Sequence, residues 1–279
     1  MIILDGKKAA EALYKQIESS INPQKPPSIA MILVGENAPS ITYVTMKQKA
    51  AARLGIQSQV IRLAKDISEE ALCQEIKALN AGPIDGILVQ MPLPSHINAA
   101  HVMATIAPSK DVDGLHPYNA GLLALGQEGG FIPCTPFGIK YLLDFYKIST
   151  AGRHVVILGR SILVGRPLAT LLSQKAFGGQ ATVTLAHSQS AHLEEICLSA
   201  DILIAAVGSP LFIKESMVKE GAIVIDVGIT EINGRLIGDV DFENVQKKCY
   251  AISPVPGGVG PMTIACLLRN TVKASLQSS

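Results

Sequence analysis

Apolar residues along this chain fall into two kinds of run, and the two alternate. "SIAMILV" (28–34) and "IDGILVQ" (84–90) are continuous apolar stretches, while "SQVIRL" (58–63) is a shorter run rich in β-branched residues. Runs apolar on both faces predict strands of a buried parallel sheet. Between them the apolar positions recur at helical spacing. "KKAAEALYKQIESS" places Ala10, Leu13 and Ile17 on one face, and "ISEEALCQEIKALN" has Ser68 as a cap with Glu69 and Glu70 in its first turn. A further helix surrounds Tyr43 and stops at "RLGI", where Gly55 supplies the terminating turn.

A second alternating series follows "PCTPFG". It runs from the helix "PFGIKYLLDFYKI" through "RHVVILG" (strand), "GRPLATLLSQKA" (helix), "ATVTLAH" (strand) and "SAHLEEICLS" (helix). Three strands follow, "DILIAAVG", "GAIVIDVG" and "CYAISPV", and then a closing helix, "GPMTIACLLRNTVKAS". The pattern predicts an α/β protein of two α/β units, with a boundary near residue 138. The last helix is expected to pack back onto the first unit, because chain termini often meet.

Composition narrows the classes without choosing among them. The chain has 279 residues, 48% hydrophobic and 17% charged, with a formal net charge of +1. That is a globular balance with a sizeable core, and it offers no basic field for a nucleic acid. No apolar run approaches a membrane span, and "MIILDGKKAA" lacks the features of a signal peptide. Five scattered cysteines without CxxC fit reduced thiols of a cytoplasmic protein, packed in the core or lying on ordinary surface. Six histidines without HxH or HExxH spacing make a protein-built metal site unexpected.

"VVILGRSILVGRP" carries the first chemistry. An apolar strand ends at Gly159, a tight turn follows, and Gly165 opens a helix with Pro167 near its first turn. Backbone N–H groups at such a helix start can hold a pyrophosphate. Ser161 stands where GxGxxG has its middle glycine, and the loop is one residue longer, so a plain strand–turn–helix junction stays open as an alternative. The next strand ends in His187 and Ser188 rather than a carboxylate, and Arg160 lies in the loop. A cation and a hydroxyl suit a ribose 2′-phosphate, which favours NADP over NAD; an Arg160 that simply faces solvent stays open as the alternative. "DVGIT" (226–230) ends another strand, where Gly228 and Ile229 would touch the nicotinamide side or Asp226 simply caps a turn.

In the first unit three polar features stand out: Tyr43 with Lys47 four residues on, Gln90 at the end of an apolar strand, and Asp111 with Asp113 in "KDVDG". A neutral amide beside Lys47 would hold the ammonium without raising its pKa, as a carboxylate would, and a partly desolvated lysine can then act as a base. Taken singly, each has an ordinary alternative: a solvated helix lysine, a satisfied buried amide, turn-forming aspartates. Lys49 points elsewhere and keeps the ordinary reading.

In order along nearly the whole chain, "YVTMKQKAAARLGI", "GILVQMPLP", "KDVDGLHPYNAG", "PCTPFG", "GRSILVGRP", "DVG", "GDV" and "PVPGGVGPMT" resemble the bifunctional methylenetetrahydrofolate dehydrogenase/cyclohydrolase family. The resemblance implies oxidation of 5,10-methylenetetrahydrofolate with NADP and hydrolysis of the methenyl product to 10-formyltetrahydrofolate, a step of one-carbon metabolism that serves purine biosynthesis. It implies a folate-binding catalytic domain over 1–138, onto which a helix at 261–279 packs back, and a Rossmann-like NADP-binding domain over 139–260. The active site would lie in a cleft between them, in a cytoplasmic homodimer. By position, Lys47 is similar to the catalytic lysine, Gln90 to its partner, Tyr43 to the tyrosine stacking on the substrate, and Asp113 to the aspartate that binds the pterin. Gly159, Arg160, Ser161, Gly165, Ser188 and Ile229 fall at cofactor positions. Pro256, Gly257, Gly258 and Thr263 fall on the loop near folate and nicotinamide. "SQKAFGGQATVT" departs from the pattern and is expected to form a surface excursion. Three alternatives stay open: a dehydrogenase with weak or absent cyclohydrolase, a non-catalytic dinucleotide sensor, and another NADP enzyme acting on a small keto acid.

Overall fold

The computed structural model describes residues 1–277; Ser278 and Ser279, the end of the expected last helix, lie outside the described residues. The chain forms two compact units. One comprises Ala12–Leu122, Glu128–Cys134 and the chain from Ile264 onward; the other comprises Met1–Glu11, Leu123–Gln127 and Thr135–Thr263.

The unit that holds Lys47 is built on a three-stranded parallel sheet with Ser28–Val34 in the centre, Gln57–Leu63 on one side and Gly86–Val89 on the other. All but the first residue of the central strand are buried, which is why its sequence is apolar without interruption. The helix Ala38–Arg53 follows that strand. Asn37 caps it, accepting at Oδ1 from Ser40 N at 3.0 Å, and Gly55, at φ +71°, ends the turn beyond it. Ser68 caps the helix Glu69–Ala81, as its position predicts. Two helices that the apolar spacing does not single out, Ala99–Thr105 and Pro117–Ala124, complete this part of the chain.

The other unit is built on a six-stranded parallel sheet. Its order is Ile2–Ile3, Ala251–Ile252, Ile223–Asp226, Ile202–Ala205, His154–Leu158, Thr182–Ala186. The order reverses at His154–Leu158, whose neighbours on either side follow it in sequence, so the loop that leaves Leu158 stands at a topological switch point. "CYAISPV" contributes a strand of only two residues, Ala251–Ile252, because the Ser253 hydroxyl turns to accept from Asp226 N and proline follows. The excursion after the helix Gly165–Ser173 is exposed over much of its length but anchored. Gln174 Nε2 donates to Leu123 O at 2.6 Å, and Thr150 Oγ1 donates to Gly179 O at 2.8 Å. An unexpected hairpin joins Thr230–Ile232 to Arg235–Ile237 through Asn233 and Gly234, both at positive φ.

Candidate active site

Lys47 lies one helical turn after Tyr43 and is buried at 8% exposure, whereas Lys49 is exposed. Gln90 follows the strand Gly86–Val89; its backbone N–H donates to Ile32 O, which fixes the residue at the carboxyl edge of the sheet. Lys47 Nζ donates to Gln90 Oε1 at 2.9 Å, and Gln90 Nε2 donates to Met91 O at 2.7 Å. The amide is thereby oriented with its oxygen toward the lysine. Burial pushes the Lys47 pKa below that of an ordinary lysine, while the charges of Asp113 and Cys134 act in the opposite direction without cancelling the shift. Tyr43 is half-buried, and burial raises its phenol pKa.

The two aspartates of "KDVDG" separate by role. Asp111 is buried and fully engaged, accepting from Leu115 N at 3.2 Å, His116 N at 2.7 Å and Asn119 Nδ2 at 2.8 Å. It organises the turn. Asp113 is half-buried and acts on Lys47 through its charge. The backbone on each side of Asp113 is held: Cys134 N donates to Asp113 O, and Asn270 Nδ2 bridges Val112 O at 2.9 Å and Ile132 O at 3.2 Å. Cys134 and Asn270 escape a reading of the sequence. Cys134 is buried beside Asp113, its thiol pushed well above the usual range chiefly by burial, and its only signal is the motif "PCTPFG". Asn270 has a polar side chain in an otherwise apolar helical stripe, which is the signal that could have found it.

In the other unit, Gly159 leaves its strand at φ +110°, and a methyl there would overlap Ala206 O, so the chain must be glycine to turn here. Ser161 Oγ accepts from Val164 N at 3.1 Å, and Gly165 begins its helix with no side-chain cap from Val164. An uncapped helix start after a glycine turn, at a sheet switch point, fits a dinucleotide pyrophosphate. Arg160 and Ser161 are exposed, as is Ser188. Gly159 N donates to Ala186 O at 2.9 Å, which sets the Arg160 loop beside the strand that Ser188 follows. Ile229 lies three residues beyond the strand Ile223–Asp226 and is half-buried. Pro256 is exposed, Gly257 O accepts from Gly6 N at 2.9 Å, Gly258 is buried, and Thr263 Oγ1 lies 2.9 Å from Thr135 Oγ1. These residues belong to the same unit as the cofactor loop and are a separate group from Lys47, Gln90 and Asp113. Among the described residues no cluster of three or more His, Cys, Asp or Glu could hold a metal, and no helix is long and apolar enough to cross a membrane.

Comparison with known proteins matches the chain to one family in two segments. The tetrahydrofolate dehydrogenase/cyclohydrolase catalytic-domain model matches residues 4–113, and the NAD(P)-binding-domain model of the same family matches residues 133–279. The chain is 52% identical over 278 residues to the bifunctional protein FolD of Chlamydia abortus, covering 97% of each chain. The crystal structure of the bifunctional FolD methylenetetrahydrofolate dehydrogenase/cyclohydrolase of Campylobacter jejuni superposes with a TM-score of 0.95 at 44% identity, covering 100% of both chains. The Trypanosoma brucei enzyme, crystallised with NADP cofactor and inhibitor, superposes at 0.93 with 35% identity, covering 100% of this chain and 98% of that one.

Proposed function

The chain belongs to the tetrahydrofolate dehydrogenase/cyclohydrolase family, and from that premise we propose how its own residues divide the two reactions. It is an NADP-dependent bifunctional enzyme that oxidises 5,10-methylenetetrahydrofolate to the methenyl cation and hydrolyses that cation to 10-formyltetrahydrofolate. The observation that carries the residue assignment is the buried Lys47–Gln90 hydrogen bond. In hydrolysis Lys47 takes the proton from the water that attacks the methenyl carbon. Gln90 holds the amine without adding a negative charge that would keep it protonated. Asp113 accepts hydrogen bonds from the donor edge of the pterin, and Tyr43 stacks on the substrate. Bound NADP supplies the hydride acceptor for the oxidation, in which positioning does most of the work.

Gly159, Ser161 and Gly165 would hold the pyrophosphate, Arg160 and Ser188 the 2′-phosphate, and Ile229 the nicotinamide side. Pro256, Gly257, Gly258 and Thr263 form the loop that approaches the flat rings. In domain terms, 1–138 together with the last helix binds folate and 139–260 binds NADP. The same reading makes the enzyme a cytoplasmic homodimer, joined through the NADP-binding unit, that supplies formyl groups for purine biosynthesis. The test is direct: purified protein with methylenetetrahydrofolate and NADP yields NADPH, then methenyl and formyl products. Absence of NADPH contradicts the dehydrogenase reading, and methenyl product that accumulates no faster to formyl than in buffer contradicts the cyclohydrolase reading.

A further inference from the structure

Two short motifs of the NADP-binding unit, "DVG" at 226–228 and "GDV" at 238–240, interlock. Asp226 is 3% exposed and Asp239 is fully buried. Asp226 Oδ1 accepts from Asp239 N and Oδ2 from Val240 N, both at 2.9 Å, while Asp239 Oδ2 accepts from Val207 N at 2.7 Å and Gly208 N at 2.9 Å. The glycines are reciprocal. A methyl at Gly228 would overlap the Asp239 carboxylate, and one at Gly238 would overlap that of Asp226, so each motif's glycine seats the other's acid. The two acids thereby tie together loops that leave adjacent strands Ile202–Ala205 and Ile223–Asp226.

The charge balance of this clasp is unusual. Buried carboxylates are ordinarily paired with a cation, yet no ion pair to either acid is formed among the described residues. Asp239 Oδ1 is buried and has no hydrogen-bond partner among the described residues. That oxygen lies against Gly228, one residue before Ile229. A cation that arrives beside Ile229 would meet a negative potential through a thin wall of glycine backbone.

We propose that Asp226 and Asp239 form a buried counter-charge that favours the cationic, oxidised nicotinamide of NADP over its neutral reduced form. This rests on the reading that places the nicotinamide at Ile229. The two acids touch no reacting atom; they set the relative affinity for the two redox forms and keep the loops around Ile229 in place. Burial pushes the Asp226 carboxyl up to about 7, and the neighbouring Asp239 charge adds to that shift. The group therefore has a proton to release when a cation approaches.

The experiment is equilibrium titration of the full chain with NADP⁺ and, separately, NADPH, by calorimetry, for the wild type, Asp239→Asn and Asp226→Asn. Asp239→Asn keeps both backbone bonds at Oδ2 and places its amide nitrogen where Oδ1 has no partner, so it removes the charge alone, whereas Asp226→Asn also sets an amide donor against a backbone N–H and serves as the supporting variant. Asp239→Asn is expected to weaken NADP⁺ by about tenfold while moving NADPH by less than about twofold, and Asp226→Asn is expected to shift the ratio in the same direction. A loss that is equal for both forms, or no loss, overturns the counter-charge and leaves a structural clasp. A second measurement needs no variant. In buffers of different ionisation enthalpy at pH 7, wild-type protein is expected to release more protons on binding NADP⁺ than on binding NADPH, the 2′-phosphate contributing equally to both. Equal proton release overturns the proposal. Failure of the wild type to bind either form would instead contradict the cofactor reading itself.

Discussion

Lys47 and Asp226 are both buried, ionisable and shifted toward neutrality by burial, but they are held in different ways. Lys47 has one neutral side-chain partner and an exchangeable geometry: a single hydrogen bond to an amide oxygen, with Asp113 acting on it through charge. Asp226 is gripped by rigid backbone donors on both oxygens. Burial alone therefore does not mark a group for proton transfer. What distinguishes the lysine is an amine that can rotate on a four-carbon chain and a partner that does not fix its charge. The acid has no such freedom, and its two hydrogen bonds go into fixing the backbone at Asp239 and Val240.

The largest expected effect comes from deleting the lysine's function. Lys47→Met should lower cyclohydrolase turnover by about 10²–10⁴-fold, the usual span for a general base, and should severely impair the dehydrogenase. Formyl production at the wild-type rate would refute the base role and erase the contrast with Asp226. The acid should instead declare itself in stability. Its folded pKa of about 7 lies above its ordinary 3.8, so its stabilising contribution is fully present below about pH 4 and is lost as pH rises through about 7, a change on the order of 4 kcal/mol. Melting temperatures followed from pH 4 to pH 8 should fall less steeply in Asp226→Asn than in the wild type. Parallel curves would show that Asp226 keeps an ordinary carboxyl pKa.

A smaller effect separates these buried groups from an exposed one. Arg160→Ala should raise the KM for NADP by about tenfold, the worth of one charge-assisted contact to phosphate, and leave the KM for NAD unchanged. An equal rise for both would mean that Arg160 does not read the 2′-phosphate. The smallest effect sharpens the comparison from the other side. Lys47→Met should stabilise the fold by ~1 kcal/mol, because a buried amine is replaced by an apolar chain of similar length. Thermal unfolding checks this, and a lower melting temperature would make Lys47 a structural anchor as well.

Much of the framework was legible because burial on both faces writes itself into composition. The strand Ser28–Val34 reads off its seven apolar-rich residues, and the Ser68 cap reads off its position before Glu69 and Glu70. Short elements were not legible. Ile2–Ile3 is a strand only because Ala251–Ile252 lies beside it, and the hairpin at Thr230–Ile237 carries little apolar alternation, its one local signal being the Asn233–Gly234 turn. Ala99–Thr105 likewise advertises Asn98 as its cap. In the site, residue type made Lys47 and Gln90 candidates, but their 2.9 Å contact joins positions 43 residues apart, and spacing alone cannot state it. Asn270 is further still, 158 residues from the Val112 carbonyl that it holds. The Asp226–Asp239 clasp was present as two tripeptides whose reciprocity depends on strand order.

The proposed proton exchange at Lys47 depends on its partner being a neutral amide, and the pH–rate profile of methenyltetrahydrofolate hydrolysis in the wild type and in Gln90→Glu tests that dependence. The variant keeps the shape of the partner but places a carboxylate against the amine, which must raise the lysine pKa. The alkaline-rising limb is expected to move to higher pH in the variant, and turnover at pH 7 is expected to fall. Superimposable profiles would contradict that dependence.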